Sequence, residues 1–184
     1  MKKITVFLLV SVLVLGLSAI AGAAVVVTLD DETQSTTFTA TVAQQASVSV
    51  PATVAFSVGN VAIATDSSAQ SVTVTQIVLT NGNGIKIFIA ADADSFTKPG
   101  GFGAVTWAST DVSWVATWSA GGVANNDALG AADVYIEVAQ SLANPASLSS
   151  SDLVFTLAAK ATVDRAGDHE LTATWKFESF TPGP

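Results

Sequence analysis

The chain contains no cysteine and a single histidine. Without thiols there is no disulfide framework, no thiolate-bound zinc or iron–sulfur site and no sulfur nucleophile. One imidazole excludes multi-histidine metal sites and removes most arrangements in which a histidine activates a nucleophile. Charge is sparse and one-sided: 12% of residues are charged, Lys+Arg 7 against Asp+Glu 15, for a formal net charge of −8. That balance excludes the basic footprint on which nucleic acid and anionic headgroups depend. No serine sits in a Gly-x-Ser-x-Gly elbow, no acidic loop has the calcium-binding EF-hand spacing, and no Asn-x-Ser/Thr acceptor occurs. With neither nucleophile, base nor cofactor cradle to assemble, the expectation is a protein that is not an enzyme and holds no cofactor.

What is present is apolar. Hydrophobic residues make up 49% of the 184, enough to offset the entropy of ordering a core. The length suits one domain plus a short extra segment. Residues 1–23 supply that segment: Lys2-Lys3, an apolar run from Ile4 to Leu17, then small residues through Ala19-Ile20-Ala21-Gly22-Ala23. This is the order of a secretory signal peptide. Cleavage before Gly22 and before Ala24 fit equally, and either removes Lys2 and Lys3, taking the net charge from −8 to −10. The expectation is a secreted protein, extracellular or at the cell surface, with no membrane contact once the leader is gone.

From residue 36 onward the pattern has period two. Leu171, Ala173, Trp175 and Phe177 alternate with Thr172, Thr174, Lys176 and Glu178, and Ile85, Ile87 and Ile89 alternate with Lys86 and Phe88. Further runs are Leu153 to Val163, Val134 to Val138, and Phe38 to Val50 with an interruption at Gln44-Gln45. That last run is too long for one strand, which predicts a bulge or a change of sheet at the glutamines. Gly, Asn and Pro clusters separate the runs, and Asn81-Gly82-Asn83-Gly84 predicts a tight hairpin between 71–80 and 84–90. Ala166-Gly167-Asp168 predicts another before the last strand. The fold expected for residues 36–184 is all-β: a two-sheet antiparallel β-sandwich, Ig-like or jelly-roll-like, of eight to nine strands.

Two side-chain sets bear on ligands. Trp114 and Trp118 share parity on one predicted strand. Facing outward they would form a platform for stacking sugar rings, and facing inward they are core. Asp92 and Asp94 are a weak candidate for calcium, since a pair at i and i+2 supplies too few of the oxygens that ion requires. His169, between Asp168 and Glu170, reads as a solvated turn residue.

The segment after the leader is Ala24-Val25-Val26-Val27-Thr28-Leu29, apolar on both parities, followed by the polar linker through residue 35. A strand of this kind at a chain end either completes its own sheet as an edge strand or adds to a neighbour's. The leader, this opening, the cysteine-free all-β body and the low-charge Ser/Thr/Ala/Gly composition resemble secreted, pilus-like filament subunits of bacteria and archaea assembled by donor-strand complementation. Type IV pilins are not resembled, because they retain their apolar N-terminal helix. The resemblance implies that residues 24–29 insert into the next subunit, so that the partner is a second copy and the product a homopolymer. The expected function is therefore a structural subunit of an extracellular filament or surface layer. The alternative is a secreted carbohydrate-binding or adhesive β-sandwich module that contacts a glycan or cell surface through Trp114 and Trp118.

Overall fold

Val, Ile and Thr are stiff at χ1 and fit a pleated, half-buried surface better than a helix. The computed structural model, which describes residues 37–100, 105–119 and 122–183, is correspondingly all-β. Among the described residues the strands are β1 Gln45–Ser49, β2 Thr65–Asp66, β3 Gln70–Val78, β4 Gly84–Ala91, β5 Val112–Val115, β6 Val123–Ala124, β7 Ile136–Gln140, β8 Leu148–Leu157 and β9 Ala173–Phe180, with a 3₁₀ turn at Ser109–Asp111. The chain divides into two units, Met1–Ala40 and Thr41–Pro184, and every strand lies in the second.

The strands form two antiparallel sheets packed as a β-sandwich. A 5-stranded sheet has the order β1-β3-β8-β2, with β5 also paired to β8, and a 4-stranded sheet has the order β6-β7-β4-β9. Both inner faces meet in one apolar core. Val72, Val74, Leu148, Leu153 and Trp114 come from the first sheet, and Ile87, Ile89 and Val138 from the second. Lys86 on the outer face of β4 pairs with Glu137 of β7 at 2.7 Å, as the alternation requires.

The expected hairpins are not hairpins. β3 and β4 belong to different sheets, as do β8 and β9, so each connection is an arch from one sheet to the other. Gly82 at φ 89° reverses the chain as its sequence suggests. The reversal is then fixed by a distant loop: Gly82 N donates to Asn144 Oδ1 at 2.8 Å and Asn144 N donates to Asn83 O at 2.7 Å. Turn chemistry determines that the chain doubles back; core packing determines which sheet receives it.

Strand boundaries differ in instructive places. The glutamine interruption does carry an irregularity, a register shift between Gln45 and Ser47 in the β1–β3 ladder. Opposite it, Gln76 of β3 adopts φ 49°. The bulge changes parity, turning Ile77 and Leu79 toward the core and leaving Val78 39% exposed. The predicted strand 152–163 stops at Leu157 and begins earlier, at Leu148. Beyond Leu157 the chain turns, with Val163 N bonded to Lys160 O at 3.0 Å. Residues 37–44 and 53–58, both expected to be strand, carry no ladder. The predicted strand 25–29, like the leader, lies outside the described residues. No helix among the described residues is long and apolar enough to cross a membrane.

Candidate functional site: an apolar groove along a free sheet edge

β9 pairs with β4 through its whole length, and its other edge has no partner among the described residues. Which backbone groups that edge presents follows from the ladder. Asp92 N donates to Thr172 O at 3.0 Å and Thr97 N to Glu170 O at 2.7 Å, so even-numbered residues of this run direct their backbone toward β4. In an antiparallel pair the bonding alternates by residue, which sends the N–H and C=O of Ala173, Trp175 and Phe177 to the free edge. The other side of β4 agrees: Ser141 N donates to Ile85 O at 2.8 Å, placing odd residues of β4 toward β7 and even ones toward β9.

Beside this edge lies a cavity of about 940 Å³. Its floor is core: Ile89, Trp107, Val112, Phe155 and Leu157. One rail carries Leu171, Ala173 and Trp175, and the facing rail carries Val54, Phe56 and Val58. These rail side chains are half-buried although they pack on the core, because on this flank the sandwich has no strand to cover them. The rails run in opposite chain directions. At one end Ser179 Oγ donates to Gln44 Oε1 at 2.8 Å; toward the other, Val61 and Val163 both line the cavity and Lys160 N donates to Val61 O at 2.6 Å.

His169 closes part of the wall and is half-buried, not free in solvent. Its Nδ1 lies 2.7 Å from Thr106 Oγ1 and its Nε2 3.1 Å from Arg165 O. In the neutral tautomer this fits, Nε2–H donates to the carbonyl and Nδ1 accepts from the hydroxyl. The ring meets Trp107 edge-on at 5.2 Å, and Trp107 Nε1 donates to Ala158 O at 2.9 Å. With both nitrogens occupied and no nucleophile beside it, His169 is a packing group of the groove.

The sequence-derived ligand candidates are placed elsewhere. Trp114 is 2% exposed and Trp118 6% exposed, and Trp114 Nε1 donates inward to Asn125 O at 2.7 Å. Their shared parity is the core parity, so neither indole offers a face on which a sugar could stack. Asp92 Oδ1 accepts from Thr174 Oγ1 at 2.9 Å and Asp94 Oδ1 from Ala132 N at 2.8 Å. Those two carboxylates tie separate loops and do not converge. Among the described residues no group of three or more potential metal ligands forms. Residues 24–29 lie outside the described residues.

The groove itself was not among the residues singled out from the sequence. Trp175 and Leu171 read as ordinary core by parity, and the alternation of Val54, Phe56 and Val58 read as a strand. The available signal was indirect: more inward-facing apolar residues than the chain's own strands can cover. No family model, curated protein or solved structure matches the chain.

Proposed function

We propose that this protein is a non-enzymatic structural subunit of an extracellular filament or surface layer, which polymerises by inserting residues 24–29 into the groove of a neighbouring copy. The observation that carries the reading is the pairing of an apolar groove with a free backbone edge. Trp175 and Phe177 present unpaired N–H and C=O groups next to half-buried apolar side chains, which is what an added strand requires.

The occupant is supplied by the same chain. Ala24-Val25-Val26-Val27-Thr28-Leu29 spans about 20 Å at ~3.3 Å per residue, within the length of the β9 edge. Seated with Val25, Val27 and Leu29 inward, it buries its most apolar parity. At about 1.5–3 kcal/mol for each fully buried side chain, three contribute roughly 5–9 kcal/mol. Association costs about 4–15 kcal/mol, so side chains alone leave the contact marginal. Ladder hydrogen bonds, at about 0.5–1.5 kcal/mol each, then decide the outcome. Because the inserted tip and the groove are different surfaces, the contact is heterologous and propagates unless it closes into a ring.

The test is deletion of residues 24–29. The shortened chain should stay monomeric while the full chain, freed of residues 1–23, forms polymers visible by negative-stain microscopy. Polymers that form equally without residues 24–29, or a full chain that remains monomeric, would reject the proposal.

A further inference from the structure

The rail facing β9 is anomalous in its own right. Val54, Phe56 and Val58 point inward while Thr53, Ala55 and Ser57 are exposed, a strand-like alternation. Yet residues 51–59 make no backbone hydrogen bond to any described residue. Backbone N–H and C=O groups are obligatory bonding groups once water is excluded. While the groove is open, solvent can serve them. When an apolar strand fills it, one lateral set of groups on 53–58 loses that solvent at the same moment as Ala173, Trp175 and Phe177 on β9.

From this we infer that residues 53–58 are a latent strand, and that residues 24–29 of a second copy pair with both rails at once, with β9 on one side and 53–58 on the other. The inference rests on the acceptor reading of the groove and adds a second hydrogen-bonding surface to it. Since the rails run in opposite directions, the inserted strand is antiparallel to one and parallel to the other. Both ladders are stereochemically ordinary, the parallel one slightly weaker per residue. Insertion joins the 4-stranded sheet to the rail that continues from β1, closing the sandwich on this flank and removing the free edge of β9. The strand expected from sequence at 53–58 is then correct for the assembled state and absent from the isolated subunit, because its partner is another molecule.

Hydrogen–deuterium exchange on the full chain, read by mass spectrometry before and after polymerisation, tests this without any substitution. Fragments covering 173–179 and 51–60 are the reporters. On polymerisation about half the amides in each should slow by roughly a hundredfold or more, as ladder amides do relative to solvent-exposed ones. If polymers form through residues 24–29 and the 173–179 fragment gains protection while 51–60 exchanges as in the monomer, the second rail is not used and the inference is overturned. The acceptor reading would survive that result. If polymers form without protection of either fragment, both the inference and the acceptor reading fall.

Discussion

Single side chains in this protein are tuned by local bonding more than by burial. Asp152 is the clearest instance. Its carboxylate accepts from Thr117 N at 2.9 Å and from Ser150 Oγ at 2.9 Å, and those bonds, the Thr117 backbone first, hold its pKa below the ordinary aspartate value. A folded-state pKa lower than the unfolded one contributes stability that is fully present above the unfolded value, about 3.9, and is lost as pH falls through the folded value. Chemical unfolding measured across pH 7 to 2 should therefore show wild type losing more stability below about pH 4 than Asp152→Asn does. Parallel curves for the two proteins would show that these bonds do not favour the ionised form. The buried tryptophans make a related point. Trp114 reaches the Asn125 carbonyl from inside the core, and a buried indole N–H with a backbone partner leaves the ring as packing surface, not recognition surface.

The elements depart from their predicted pattern where a residue adopts unusual backbone geometry. Gln76, at φ 49°, occupies a left-handed conformation that costs a side-chain-bearing residue about 1–2 kcal/mol. Gln76→Gly should match wild type or exceed it by up to about 1 kcal/mol, whereas Gln76→Val should lose about 1–2 kcal/mol, read from urea midpoints. A stable valine variant beside a weakened glycine variant would contradict the bulge geometry. Much of the element list was legible from alternation alone: the inward residues of β4 and β9, Val72 and Val74 of β3, and Leu153 to Leu157 of β8 were all indicated by parity. The sheet assignment was not legible. Asn81-Gly82-Asn83-Gly84 encodes a reversal, and an arch and a hairpin reverse the chain with similar residues. Nor was the end of β8 at Leu157, since Ala159, Ala161 and Val163 continue the apolar parity through residues that instead turn. Of the site, the inserting segment was visible as an apolar run, but its receptor was hidden because Trp175 and Leu171 obey the same rule as fully buried core.

At the scale of the whole molecule, the sandwich is closed on the β8 flank, where β2 and β5 both pair with β8, and open on the β9 flank. An exposed, unpaired edge is a template for association that proteins usually blunt with charge. Here Lys176 and Glu178 pair with one another on the solvent face of β9 while the groove face stays apolar, so the outer face discourages random stacking and leaves the slot receptive. The low charge content and acidic balance fit a subunit that must stay soluble until it meets its own kind. The most direct test of this account uses Trp175 as the reporter. The chain lacking residues 24–29 is titrated with the peptide Ala-Val-Val-Val-Thr-Leu, and with a control peptide in which the aspartate change Val27→Asp places a charge on the inward parity. The account predicts a saturable blue shift in tryptophan emission with the first peptide, reduced in a Trp175→Phe background and absent with the control. Emission that does not respond to the first peptide, or responds equally to the control, would contradict it.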